Sequence, residues 1–208
     1  MMPIVTVSRQ YGSGGSEVAE RVASALGWKL YDNAVVEEVA ARLRMTPAEV
    51  SAREERVPSL VERMASAMAL GVPEVMPVVG EMATVPSEER MVMMTKRVIE
   101  DAVQAGPAVL VGRGAQCMLA RRSDALHVYC YAAEEDLIRY VIENLGISAA
   151  EAPKKVTEMN HQREAYVRLH WKRNWRDVAN YDLCVNTATL GLDGAARLVT
   201  EVARERFG

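Results

Sequence analysis

Short apolar runs recur along the chain without the alternation of a half-exposed sheet: "PIVTVS" (3–8), "WKLYD" (28–32), "PAVLVG" (107–112), "ALHVYCYA" (125–132) and "DLCVNT" (182–187). Runs of this kind predict parallel strands covered on both faces. Between them the apolar positions change to helical spacing. Val18, Val22, Ala25 and Leu26 share one face over 16–26, and Val35, Val36, Val39 and Leu43 do so over 33–44. Further helices are expected over 87–105, 134–145, 149–172 and 193–205. Strands alternating with helices imply right-handed βαβ units and a three-layer α/β domain.

Residues 46–86 interrupt this rhythm. Pro58, Pro73, Pro77 and Pro86 punctuate the segment, and methionines crowd between Met64 and Met94. Adaptable core packing is the ordinary use of such methionines. A helical flap or a dimer surface is the alternative, so a homodimer stays open.

With 208 residues the chain can bury a full core, and one domain over 1–208 is expected. Its formal net charge of −3 gives no global field favouring nucleic acid or an anionic membrane. No segment approaches the roughly 20 apolar residues of a membrane helix, and no secretory signal is visible. Cys117, Cys130 and Cys184 lie far apart without C-x-x-C spacing, which reads as reduced, buried thiols in a cytoplasmic protein.

Chemistry enters at "VTVSRQYGSGGSEVAERVASALG" (5–27), a strand, a glycine loop and a helix in succession. Glycines leave consecutive amides uncovered, and the helix beginning near Ser16 adds its positive end, so the loop suits a phosphate. As a dinucleotide fingerprint it fails at Glu17, where a third glycine belongs, although Asp32 stands where a ribose-binding acid is expected. Four residues also separate Val7 from Gly12, a spacing closer to a mononucleotide P-loop. Against G-x-x-x-x-G-K-[ST], residues 9–16 keep Gly14 and Ser16 but carry Arg9 for the first glycine and Gly15 for the lysine. Tyr11, Gly12, Ser13, Gly14, Gly15 and Ser16 are therefore the candidate nucleotide-binding residues, with Ser16 also a candidate Mg²⁺ ligand and helix N-cap. Arg9 is the nearest cation able to replace the lysine, pairing with an acid being its bland alternative.

This opening, with "LYDNAVVEEVA", "VLVGRGAQCML", "HVYCYAAEEDLIRYVIENLGIS" and "NYDLCVNTATLGLDGAARLV", resembles the cytidylate kinase-like family over nearly the whole chain apart from 55–85. The resemblance implies a P-loop nucleoside monophosphate kinase fold. That fold has a five-stranded parallel sheet, a helical acceptor-binding insertion (33–86) and a LID (149–178). It also implies ATP and Mg²⁺ on the loop and transfer of the γ-phosphoryl to CMP or dCMP. Two departures stand out. The family's acceptor-holding arginine falls on Glu38, and its glycine-arginine-aspartate segment reads Gly112-Arg113-Gly114. Arg113, at a strand end, is placed to meet the acceptor phosphate, with Asp32 on the acceptor side.

The segment "NHQREAYVRLHWKRNWRDVANYD" (160–182) concentrates Arg163, Arg168, Lys172, Arg173 and Arg176. In the resemblance it is the LID, whose arginines close over both phosphate groups. Arg9, Arg113, Arg163 and Arg168 are then the catalytic candidates, with Arg173 binding substrate. A solvated helix face is the default for such a run. Tyr166, Trp171 and Trp175 between the cations also allow a nucleic-acid-binding module, but one patch on an acidic chain argues against nucleic acid as partner. His127, inside an apolar strand, reads as a core histidine. Asp182 orients or caps the loop beside it. A nucleotide-binding regulatory protein with little kinase activity, or a kinase for another small metabolite, remains the alternative function.

Overall fold

The computed structural model describes residues 2–32, Thr46 and residues 88–208, without the side chains of 88–90. The helix expected at 33–44 and the insertion expected at 33–86 lie outside the described residues, Thr46 apart. Five strands form one sheet in the order β2-β3-β1-β4-β5: β1 (Ile4–Arg9), β2 (Lys29–Tyr31), β3 (Ala108–Val111), β4 (Ala125–Tyr131) and β5 (Leu183–Asn186). Every pairing is parallel. All five continuous apolar runs thus became strands, because helices cover both faces of the sheet.

One face is filled by Val5, Val7, Val109, Val111, Leu126 and Val128. Against it pack Val18 and Val22 of α1 (Gly15–Leu26) and Ala195 and Val199 of α6 (Thr187–Phe207). The other face joins Ile4, Ala108 and Leu110 to Met91, Val98, Ile99 and Ala102 of α2 (Glu88–Ala105), with Ala115 of the short helix α3 (Ala115–Met118). The period-2 alternation of the strands divides these two sets. Helices α4 (Glu134–Leu145) and α5 (Ala152–Trp171) form a satellite core through Leu137, Val141, Ala152 and Val156.

Helix ends follow local chemistry. Pro153 sits in the first turn of α5, where its missing N–H costs nothing. Asn186 caps α6 by accepting from the amides of Ala188 and Thr189. The first turn of α6 is set off from the rest by Gly191, whose φ of 66° and ψ of 163° are not helical. That break is why the regular pattern in the sequence begins only near residue 193. Helix α5 stops at Lys172 in a left-handed conformation, so the 168-172-176 spacing does not continue on one helical face.

Because the strands are parallel, β1, β2 and β3 end at the same end of the sheet. Helix α1 leaves β1 on one face while α3 leaves β3 on the other. Crevices of this kind, at the carboxyl ends of strands whose connections diverge, are where open α/β sheets bind ligands.

Candidate active site

The loop between β1 and α1 is fixed by its own polar groups before any ligand is considered. Ser13 Oγ donates to the Gln10 carbonyl at 2.8 Å, closing residues 10–13 into a tight turn. Gln10 donates its amide to the Cys130 carbonyl and accepts from the Ala132 amide on Oε1, both at 3.0 Å. Tyr11 donates its amide to Asn160 Oδ1 of α5 at 2.7 Å. Gly12 and Gly14 take positive φ values of 86° and 64°, and α1 begins directly after them with its N-terminal end at the loop. The N-cap is therefore Gly14 and not Ser16, which lies inside the helix and makes no side-chain cap bond. This is an anion-binding geometry made of backbone donors and a helix dipole.

Arg9 turns inward from the end of β1. Its Nε donates to Ser16 Oγ at 3.3 Å and an Nη pairs with Asp32 Oδ1 at 3.4 Å, the acid pairing expected as its alternative role, so one guanidinium spans the loop serine and the acid after β2. Only 20% of the Arg9 side chain is exposed. The same guanidinium lies against Gly112, where a side chain would collide with it.

Arg113 is held beside Arg9 by an unusual turn. Gly112, Arg113 and Gly114 all adopt left-handed φ values, of 70°, 57° and 71°. For arginine this costs about 1–2 kcal/mol, which identifies a side chain placed by its surroundings rather than by local preference. Burial lowers its pKa to about 10; Arg9 adds to the shift, while Tyr166 and Asp32 oppose it. Arg113 is therefore still a cation at neutral pH. Arg163 of α5 completes the group, donating to the Arg9 carbonyl at 2.7 Å with its guanidinium carbon 5.7 Å from the Tyr11 ring centroid.

Arg9, Arg113 and Arg163 line one cavity of about 100 Å³, together with Gln116, Gln162 and Tyr166. The structure thus brings together Arg9, Arg113, Arg163, Ser16 and Asp32 around the glycine loop. It does not bring Arg168 or Arg173 to them. Arg168 is exposed and pairs with Glu164 at 3.9 Å, and Arg173 is exposed and donates to Asn180 Oδ1 at 3.0 Å. A second groove of about 200 Å³ starts at Gly12 and Ser13 and runs past Asp136, Arg139 and Tyr140 to Leu192. Tyr140 donates a hydrogen bond to Glu17 beside it.

Nucleotide phosphates fit the loop's donors and Arg9. For Mg²⁺, the loop offers the Ser16 hydroxyl, the Ser13 hydroxyl being already donated to the Gln10 carbonyl, and among the described residues no group of three or more His, Cys, Asp or Glu side chains could hold a metal. A lone hydroxyl suits a cation carried mainly by phosphate oxygens and water.

Asn160, Gln10, Gln116 and Gln162 were not singled out from the sequence. Asn160 carried one signal, a polar residue three positions before Arg163 and so on the same helical side. Gln116 and Gln162 carried none, since a carboxamide in a helix is usually surface. Of the other candidates, Trp175 lines the cavity as well, whereas His127 and Asp182 lie outside it. Trp175 is core, edge-on to Tyr129 with ring centroids 5.5 Å apart. His127 is buried and bonded to Thr6 Oγ1 through Nδ1 at 2.8 Å. Asp182 accepts from the His127 amide at 2.8 Å and pairs with Arg206 at 3.3 Å, so it anchors the start of β5. The cysteines form no disulfide, and burial raises the pKa of each.

The chain matches the cytidylate kinase-like family over residues 4–189. No curated protein sequence matches it. Among solved structures, it resembles an uncharacterized protein from Eubacterium ventriosum ATCC 27560, with 17% identity, a TM-score of 0.70, and coverage of 97% of this chain and 98% of the other. It also resembles the shikimate kinase of Bacteroides thetaiotaomicron, at 11% identity and a TM-score of 0.57, covering 98% and 99% of the two chains. A gluconokinase from Sinorhizobium meliloti 1021 follows at 13% identity and a TM-score of 0.51, covering 98% and 94%. These likenesses establish the fold of the P-loop small-molecule kinases. Among the described residues no helix is long and apolar enough to cross a membrane.

Proposed function

We propose that this chain, which belongs to the cytidylate kinase-like family, transfers the γ-phosphoryl group of ATP to a nucleoside monophosphate, with CMP or dCMP the first acceptors to test. The observation that carries this reading is the placement of Arg9. Its guanidinium lies between the loop serine and the acid after β2, next to Arg113 across Gly112. Phosphoryl transfer needs positioning and charge neutralisation more than covalent help from the protein.

Each group then has a task. The amides of Gly12 and of Gly14 to Ser16 hold the donor's phosphates, the Ser13 amide being turned to the Gln10 carbonyl, and Arg9 faces the β- and γ-phosphates as the fixed positive charge of the loop. Arg113 holds the acceptor phosphate, whose oxygen attacks the γ-phosphorus as the bond to the β,γ-bridging oxygen breaks and ADP leaves. Arg163 keeps Arg9 in place through its carbonyl. The Ser16 hydroxyl would help hold a magnesium ion bound with the nucleotide, which would supply further positive charge to the phosphates. Fixed guanidinium groups in a site that excludes water are worth more than the same charges in bulk solvent.

One observation favours a different acceptor within the same chemistry. The position of the family's aspartate is Gly114, and the Trp171 indole occupies the space its side chain would need. A kinase for another small phosphorylated or hydroxylated metabolite is the second reading. A coupled ADP-release assay with Mg-ATP and a panel of nucleoside monophosphates and phosphorylated metabolites tests both. Acceptor-dependent turnover with CMP or dCMP alone supports the first; turnover only with a non-nucleotide acceptor replaces it by the second.

A further inference from the structure

Asn160 is a polar side chain in an apolar setting. It sits on the inner side of α5 at 4% exposure, next to the buried Met159. A buried carboxamide is unfavourable unless it is hydrogen-bonded, and this one accepts from the Tyr11 amide at 2.7 Å. One helical turn later, Arg163 donates to the Arg9 carbonyl at 2.7 Å and reaches over the Tyr11 ring. Helix α5 therefore grips the main chain on both sides of Gln10. Gln10 is held in turn by Cys130 and Ala132 at the end of β4. The junction from strand to loop is clamped from two elements remote in sequence.

We propose that Asn160 is a positioning residue that sets the aim of the phosphate-binding amides. The inference rests on the reading of residues 10–16 as the nucleotide's phosphate loop. The amides that face an anion begin at Gly12, one peptide beyond the group Asn160 holds. Glycines on that side of Tyr11 supply little rigidity of their own. The orientation of the loop is therefore imposed by the residues before it, and Asn160 fixes the nearest of them. Without this bond Tyr11 keeps a part-buried, unsatisfied N–H, and the peptide plane rotates to find another partner.

The test compares two variants of nearly the same size. Asn160→Leu fills the space but cannot accept a hydrogen bond; Asn160→Asp keeps the accepting oxygen. Isothermal titration of each full-length variant with Mg-ADP is the readout, alongside melting temperature. Asn160→Leu is expected to weaken Mg-ADP binding roughly tenfold, the worth of one well-placed hydrogen bond, while Asn160→Asp stays within about threefold of wild type. If Asn160→Leu does not fold, Asn160→Ser serves, because its hydroxyl is too short to reach Tyr11, and the same loss is expected. Equal affinity in wild type and both variants, or equal loss in Leu and Asp, overturns the positioning role alone. Failure of the wild type to bind Mg-ADP overturns the nucleotide reading, and this inference with it.

Discussion

Gly15 and Arg9 exclude each other's alternatives: a Cβ on Gly15 would fall on the Cβ of Arg9. Position 15 is where a P-loop ordinarily carries its lysine. The absence of that lysine is therefore the steric counterpart of an arginine entering from the other end of the loop. Gly15→Lys is expected to fold less stably, by about 1–3 kcal/mol for an overpacked site, and to weaken Mg-ADP binding. Adding Arg9→Gly should recover part of both losses. The remainder stays with the Cys130 Cβ, 2.9 Å from the same point. Thermal melts and Mg-ADP titrations of the single and double variants check this; a fully stable Gly15→Lys protein would contradict it.

A second pair explains the other departure from the family pattern. A side chain at Gly114 would meet the Trp171 indole, on a backbone whose φ of 71° already favours glycine. Restoring the acid with Gly114→Asp is expected to lower the melting temperature by several degrees, at about 2–4 °C per kcal/mol for a chain of this size. Combining it with Trp171→Ala should relieve the clash and leave only the left-handed backbone strain at position 114, so Asp lowers the melting temperature less in Trp171→Ala than in wild type. Melting curves of the three proteins decide; a Gly114→Asp protein as stable as wild type would refute the packing explanation.

Acid stability follows from His127. Burial is the main cause holding its pKa below the ordinary value, with Asp182 opposing. Below about pH 6.5, the ordinary histidine value, the unfolded chain binds a proton that the folded chain resists. Stability then falls as pH falls through that window. Melting temperature should drop between pH 7.5 and 5.5 more steeply in wild type than in His127→Asn, whose amide can still meet Thr6. Parallel slopes in the two proteins would exclude His127 as the cause.

The layered fold was legible because continuous apolar runs and 3.6-residue spacing are local signals, and the five strands and α1 follow them closely. The glycine loop was legible for the same reason, since Gly12, Gly14 and Ser16 lie within five residues. What the sequence did not carry were the partners that cross from one element to another. That Arg9 meets Asp32, that α5 holds Tyr11 through Asn160, and that Trp171 fills the space at Gly114 depend on packing between segments more than twenty residues apart. The basic run after Asn160 illustrates the limit. Its charges read alike in sequence, yet α5 turns Arg163 to the loop and leaves Arg168 beside Glu164 in solvent.

In the proposed mechanism Arg9 supplies the positive charge that a P-loop lysine otherwise gives. Steady-state ADP release with Mg-ATP and the best acceptor from the panel, measured for wild type and Arg9→Ala with the fold checked by circular dichroism, tests it most directly. Removing one preorganised transition-state donor costs about 10²–10³ in kcat, and a loss of at least that size is the predicted result. Unchanged kcat in a folded Arg9→Ala protein would contradict the account.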